Sequence, residues 1–331
     1  MSDQFTRTSR RALATLFTGA VAAVTATMSH ADAGWPTKPV TIVVPFPAGG
    51  GTDAFARPLT ATLSKNTGKQ FIIDNRGGAG GTVGASIAAK ATPDGYTFFM
   101  GAVHHAIAPS MYPKLDYDIE KSFVPVALVS SVPQVIVVNP QRVAANDLKG
   151  FIEAAKKADG KMNYGSAGNG SSHHLAGELF NGLAGTKIAH VPYKGAGPAL
   201  TDLMGGQIDA MFDGMGSSAG HIKGGRIKAI AVASDKRAPG FPNIPTAAES
   251  GLNYKVSTWY GLWAPKGTPP DVIARMQAEL KKAYNSDELK PIWNGLGAEV
   301  PDLYGDAFGK FVTSEIKRWG DVAKASGAKL D

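Results

Sequence analysis

The chain of 331 residues carries 34 Lys and Arg against 27 Asp and Glu, a formal charge of +7, and no cysteine. The lack of cysteine excludes disulfides, thiolate metal sites, cysteine nucleophiles and a lipidated N-terminal cysteine. The basic balance suits capture of small anions, and the lysines are scattered without interleaved aromatics, so no nucleic-acid partner is expected.

Arg7, Arg10 and Arg11 precede an uncharged apolar run over residues 12–28 and the small-residue triplet Ala31-Asp32-Ala33. That order predicts an export signal cleaved after Ala33 and a periplasmic mature chain. The Arg10-Arg11 pair leaves Sec and Tat export both open. A transmembrane helix is the alternative, but the run is near the minimum spanning length and rich in Ala and Thr rather than Leu and Ile.

Strand and helix patterns then alternate. The β-branched run Val40-Thr41-Ile42-Val43-Val44 predicts a strand, and Phe55, Leu59 and Leu63 at four-residue spacing predict a helix over 52–67. Strands follow at 71–73 and 96–100, separated by a small-residue helix over 81–90. Next come a short strand at 135–138 and a helix over 147–157 opened by Asn146 or Asp147. Further strands are expected at 187–191, 210–212, 227–232 and 259–263, and helices at 197–204 and 270–284. This alternation predicts parallel sheets covered by helices on both faces. Extended apolar runs beside proline at 132–138 and 257–263 are the expected crossovers between two domains, and 238–245 reads as a surface connection.

Two glycine-bearing loops carry the strongest chemical signal. Pro45-Phe46-Pro47-Ala48-Gly49-Gly50-Gly51-Thr52-Asp53 joins a buried strand to a helix that Thr52 or Asp53 can cap. Its amides and the helix dipole favour an anion, although a ligand-free turn would use glycine too. No Lys followed by Ser or Thr closes it, so it is not a Walker loop. The stretch from Tyr164 to His174, with Ser166, Gly168, Asn169, Gly170, Ser171 and Ser172, repeats the pattern in the other half of the chain. Two such loops read as the jaws of one cleft.

Gly101-Ala102-Val103-His104-His105 follows the strand at 96–100 and belongs at the same sheet edge. Adjacent histidines project in different directions, so His104-His105 and His173-His174 suit hydrogen bonding to a ligand better than a zinc site. Asp209 and Asp213 are open to acid–base work or to local capping. Tyr96, Tyr164, Tyr193, Trp259, Tyr260 and Trp263 are candidates to line a pocket, most of them serving the core instead. Gly216-Ser217-Ser218-Ala219-Gly220 matches a nucleophile elbow and raises the alternative of a secreted serine hydrolase using Ser218. Only His221 follows it, too near in sequence to complete a triad.

In order and spacing these motifs resemble the Bug family of extracytoplasmic receptors, which serve tripartite tricarboxylate transporters. Trp35-Pro36, the loop 45–53, Asp74-Asn75-Arg76-Gly77-Gly78, Pro93-Asp94-Gly95-Tyr96-Thr97, the loop 164–176, Val191-Pro192-Tyr193-Lys194-Gly195, Pro242-Asn243-Ile244-Pro245-Thr246 and Pro265-Lys266-Gly267-Thr268-Pro269 carry it.

The resemblance implies an α/β, two-domain periplasmic-binding-protein (Venus flytrap) fold, each domain a mixed sheet flanked by helices. Residues 1–33 would be the signal, 34–134 with 258–331 the first domain, and 135–257 the second. It implies capture of a small organic carboxylate, a dicarboxylate or an aromatic carboxylate, without catalysis or cofactor. A monomer would hand the ligand to cognate inner-membrane transporter subunits. Carried onto this chain, the first jaw is Phe46, Ala48, Gly49, Thr52 and Asp53 with Val103, His104 and His105. The second is Ser166, Gly168, Asn169, Ser171, Ser172 and His173, with Asp213 near the ligand's far end. Members often carry Ser or Thr where this chain has Val103, and the missing hydroxyl favours an aromatic or otherwise apolar carboxylate over citrate.

Overall fold

The computed structural model describes residues 34–300 and 302–326, so the expected export signal lies outside the described residues. In chain order the elements are β1 (Val40–Val44), α1 (Gly51–Thr67), β2 (Phe71–Asn75), α2 (Thr82–Ala89), β3 (Thr97–Ala102), α3 (His104–Met111) and β4 (Phe123–Val138). They continue as α4 (Leu148–Ala158), β5 (Asn163–Ser166), α5 (Ser172–Ala184), β6 (Ala189–Pro192), α6 (Ala196–Met204), β7 (Ala210–Gly214), α7 (Met215–Lys223) and β8 (Lys228–Val232). The chain returns through β9 (Ser257–Pro265) and ends in α8 (Pro270–Tyr284), α9 (Leu289–Gly295) and α10 (Gly305–Ser326).

One strand organises the whole. The expected short strand at 135–138 is the end of β4, which runs for 16 residues. From Phe123 to Pro133 it pairs antiparallel with β9, and β9 pairs in turn with β3, giving the order β2-β1-β3-β9-β4. Beyond Pro133, β4 takes antiparallel partners β7 and β8 instead, and the sheet continues from β7 to β5 and β6. The sheet is therefore mixed in each lobe, not parallel throughout: β1, β2 and β3 are mutually parallel and β9 runs against them, while β5, β6 and β7 are mutually parallel and β4 runs against those. Pro125 sits at an irregularity in the β4–β9 ladder, which tolerates its missing N–H.

The side-chain period of two places successive residues on opposite faces, and both faces are buried. Val40, Ile42 and Val44 of β1 and Val135 and Val137 of β4 enter one core with Phe55, Leu59 and Leu63 of α1. Val43, Ile136 and Val138 enter the other, with Phe99, Phe151, Tyr164, Phe180 and Trp263. The 238–245 connection is not wholly superficial, because Ala238 and Phe241 are buried in the first core.

Helix starts depart from expectation at one end and meet it at the other. Asp147 caps α4 by accepting from Gly150 N at 2.7 Å. Helix α1 is capped by Gly50, not by Thr52 or Asp53, which lie inside its first turn. Ser218 lies within α7 instead of at the sharp strand-to-helix turn that a nucleophile elbow requires.

Helix α10 lays Phe308, Val312, Glu315, Trp319 and Ala323 against the second core. The buried Glu315 carboxylate accepts from Trp259 Nε1 at 2.7 Å and Trp319 Nε1 at 3.0 Å, while Arg318 donates to its other oxygen at 3.0 Å. Replacing Glu315 with Leu leaves two buried indole N–H groups without acceptors. We expect Glu315→Leu to lose about 2–4 kcal/mol of stability in denaturant unfolding.

Candidate binding site between the lobes

The carboxyl ends of β1 and β3 in one lobe and of β5 and β6 in the other face a common cavity. Phe46, Gly50, Gly51, Thr52 and His104 line it from the first lobe, Ala167, His173 and Ala196 from the second. Thr258 and Tyr260 of β9 complete the wall. The room it leaves for water is about 20 Å³, roughly what one molecule needs. The jaws touch around it. A Cβ added to Gly195 would come within 2.8 Å of Pro47 Cδ, and one on Gly197 within 2.8 Å of Ala48 O. Tyr112 Oη donates across the mouth to Asn169 O at 3.2 Å.

The first jaw is held from behind by Asp53. Its carboxylate accepts from Gly49 N at 3.0 Å, from Arg57 Nε and Nη2 at 2.7 and 2.8 Å, and from Asn75 Nδ2 at 3.2 Å. The same Asn75 nitrogen donates to Phe46 O at 2.9 Å. Gly49 has φ +84°, the left-handed region that favours glycine. The net shapes the loop so that Gly51 and Thr52, in the first turn of α1, border the cavity. First-turn amides have no carbonyl four residues back to bond, and the dipole makes this end positive.

The second jaw is self-supporting in the same way. Ser166 Oγ accepts from Gly168 N at 3.0 Å and lies 2.6 Å from His190 Nε2, and Ser171 caps α5 by accepting from His174 N at 3.3 Å. Gly170 N donates to His174 Nδ1 at 3.1 Å, and the His174 ring stacks on His190 with centroids 3.9 Å apart.

Of the residues expected at the site, Phe46, Thr52, His104 and His173 reach the cavity wall. Ala48, Gly49, Gly168 and Asn169 sit at the lobe contact or in the loops, and Asp53, Ser166 and Ser171 are bound inside their own loops. Ser172 is buried with no partner for its hydroxyl. Val103 belongs to the second core, its amide donating to Trp259 O at 3.0 Å. The inference from Val103 to an apolar ligand therefore loses its footing, because that side chain is part of the core and not of the cavity wall. His105 is also structural, pairing Nδ1 with Ala102 at 3.0 Å and Nε2 with Gly81 O at 3.3 Å.

Asp213 lies behind His173, completely buried. Its Oδ2 accepts from Ser217 Oγ at 2.5 Å and Ser218 Oγ at 2.6 Å. His173 Nε2 stands 3.4 Å from Oδ1, an ion-pair separation without hydrogen-bond geometry. A serine nucleophile needs imidazole on its hydroxyl, whereas Ser218 donates to the carboxylate and the carboxylate separates it from the ring. The hydrolase alternative is thus not supported. Asp209 serves structure, holding Arg142 Nε at 2.6 Å and Asn163 N at 2.9 Å.

Gly50, Gly51 and Ala167 lie within the two expected loops; Ala196 and Thr258 were not among the expected site residues, and Tyr260 stood only among the candidate pocket aromatics. Trp259 and Trp263 pack on Phe308, and Tyr193 lines an outer groove with Lys194. Among the described residues no lysine or arginine lines the cavity. Burial holds His104 well below the usual imidazole range, with the neighbouring His173 and His105 acting in the same sense. It lowers His173 against the opposing pull of Asp213. Tyr260 is raised by burial and by Asp213.

A two-lobed α/β fold with a cavity between the lobes defines the periplasmic-binding-protein class. The profile of the tripartite tricarboxylate transporter family receptor matches residues 55–328, and the chain belongs to that family, whose receptors are periplasmic. It is 36% identical over 299 residues to Protein BugT of Bordetella pertussis, covering 89% of this chain and 91% of that protein. Among solved structures it is similar to R. palustris Rpa4515 with adipate, at TM-score 0.86 and 36% identity, over 89% of this chain and 100% of that one. It is also similar to MatC from Rhodopseudomonas palustris with bound malate, at TM-score 0.81 and 37% identity, over 87% and 99%.

Asp53→Ala removes the acceptor of a buried net instead of a simple cap. We expect a loss of about 2–4 kcal/mol by chemical denaturation, beyond the ~1 kcal/mol of an ordinary cap. Acid should also weaken the fold. Burial takes His105 down to about 4 and His190 down to about 3 from the ordinary 6.5, the latter helped by His174. The unfolded chain therefore binds more protons than the folded one below about pH 6.5, so stability falls as pH drops. Tm should be level above about pH 7 and decline below it, less steeply in His190→Gln.

Proposed function

We propose that this protein is a periplasmic receptor that captures a small organic carboxylate and delivers it to the membrane subunits of a tripartite tricarboxylate-type transporter. The observation that carries the reading is the convergence of two glycine-bearing loops, each opening a helix, on one cavity that, among the described residues, no lysine or arginine lines. The ligand's charge would be met by first-turn amides, the hydroxyls of Thr52, Thr258 and Tyr260, and the imidazoles of His104 and His173. The adipate and malate held by similar receptors support this class of ligand.

In this reading the first lobe comprises 34–134 with 258–331 and the second 135–257. The boundaries agree with the switch of β4 from β9 to β7 and β8 after Pro133 and with the start of β9 at Ser257. Gln134 Nε2 donates to Thr258 Oγ1 at 3.2 Å where the two connections meet, a natural hinge. The lobes part to admit a ligand that a water-sized cavity cannot hold, then close around it. The receptor is a monomer that releases its ligand unchanged, and its export signal is cleaved after Ala33.

The test is thermal unfolding with adipate, malate, citrate and benzoate, followed by recovery of the ligand. A bound carboxylate at a hundred times its Kd should stabilise by about 2.7 kcal/mol and come back intact. Failure of every carboxylate to raise Tm, or chemical conversion of the bound one, would contradict the proposal.

A further inference from the structure

Resting on that reading of the cavity as a carboxylate site, we infer that Thr258 and Tyr260 form a donor pair for the ligand and that Gln134 positions it, fixing the Thr258 hydroxyl as a donor. Thr258 and Tyr260 lie two residues apart on β9, so both side chains leave the same face of the strand, and both residues line the cavity. Two glycines locate their oxygens. A Cβ added to Gly214, the last residue of β7, would stand 3.4 Å from Tyr260 Oη and 3.6 Å from Thr258 Oγ1. One added to Gly51, the first residue of α1, would collide with Tyr260 Oη. The Tyr260 hydroxyl therefore sits at the start of α1, against a glycine that lines the cavity too. Its ring is braced on Phe55 of the same helix, with centroids 4.9 Å apart.

Both hydroxyls have a proton to give. Tyr260 is buried, and its Oη has no hydrogen-bond partner among the described residues. Asp213 takes its hydrogen bonds from Ser217 and Ser218 instead. Burial, and then Asp213, push the Tyr260 hydroxyl up, so its proton stays on at neutral pH. Thr258 Oγ1 accepts from Gln134 Nε2 at 3.2 Å, and no described residue accepts the proton of Thr258. A hydroxyl donates once, so while Gln134 presents its amide hydrogens that proton is left for the cavity. Gln134 is held where β4 leaves β9 for β7, its N–H donating to Val256 O at 2.9 Å and its carbonyl accepting from Ala233 N at 2.8 Å. Its Oε1 is buried without a partner. An apolar side chain would pack there without that cost, so the amide is explained by the hydrogen it presents to Thr258. A carboxylate only accepts, and it satisfies both hydroxyls at once.

Calorimetric titration of the full chain with adipate, malate, citrate and benzoate selects the tightest binder for the variants. Tyr260→Phe and Thr258→Val each remove one hydroxyl with little change of shape, and each should weaken binding about tenfold. Tyr260→Phe strips no protein group of a partner, so it should keep its stability in denaturant and carry the test even where Thr258→Val folds poorly. The role of Gln134 is read by infrared difference spectra of complexes saturated with the ¹³C-labelled carboxylate, whose stretching bands report its hydrogen bonds. Gln134→Met should shift the band in the same direction as Thr258→Val, and should shift it no further once Thr258→Val is present. Tyr260→Phe and Thr258→Val binding within about twofold of the unmodified protein overturns the donor pair. A band that Gln134→Met leaves unmoved overturns the positioning role, and either result leaves the carboxylate receptor intact. Absence of binding by all four carboxylates sinks the receptor reading and this inference with it.

Discussion

A carboxylate taken out of water must recover its solvation, and among the described residues no lysine or arginine lines the cavity to supply it. The protein meets that constraint with dipoles. The first turns of α1 and α5 bring amides that have no helical partner, and neutral rings and hydroxyls add donors. Dipoles have one advantage over a fixed cation. A buried lysine would be uncompensated whenever the ligand left, whereas amides at the mouth of an opening cleft can return to water.

Charged residues do appear around the site, but they shape it instead of touching its contents. Asp53, Arg57 and Asn75 hold the first loop in the one conformation that turns Gly51 and Thr52 inward. Ser166 and His190 brace the second loop without an ion pair. Preorganisation of this kind is needed because the entropy of ordering a glycine-rich loop would otherwise be subtracted from affinity. The long strand β4 performs the same service on a larger scale, giving both lobes a shared backbone so that they close in register.

How much of this was legible in the sequence depended on how local the signal was. The run at 40–44, the spacing of Phe55, Leu59 and Leu63, and the glycine loops are short-range patterns, and they appear in the fold where expected. Strand β4 was recognised only at its end, because Pro125 and Pro133 interrupt what reads otherwise as one apolar strand. Helix α10 escaped notice because Glu315 stands in its apolar stripe, and only its two tryptophan partners explain a buried carboxylate there. At the site, residue type marked Thr52, His104 and His173 correctly for the wall. It could not tell which way Asp53, Ser166 and Val103 turn: Ser166 and Val103 are placed by His190 and the Trp259 carbonyl, both far away in sequence, and Asp53 by Arg57 one turn on together with the distant Asn75 and the Gly49 amide. Thr258 and Tyr260 reach the cavity because β9 crosses between the lobes, a fact of topology that no motif announces.

Diffraction from crystals grown with adipate would test the central idea most directly. The account predicts carboxylate density between the lobes, with oxygens within hydrogen-bond distance of the Gly51 or Thr52 amide and of a second-lobe donor near Ala167 or His173. Adipate seated instead in the outer groove beside Tyr193 and paired with Lys194 would contradict it.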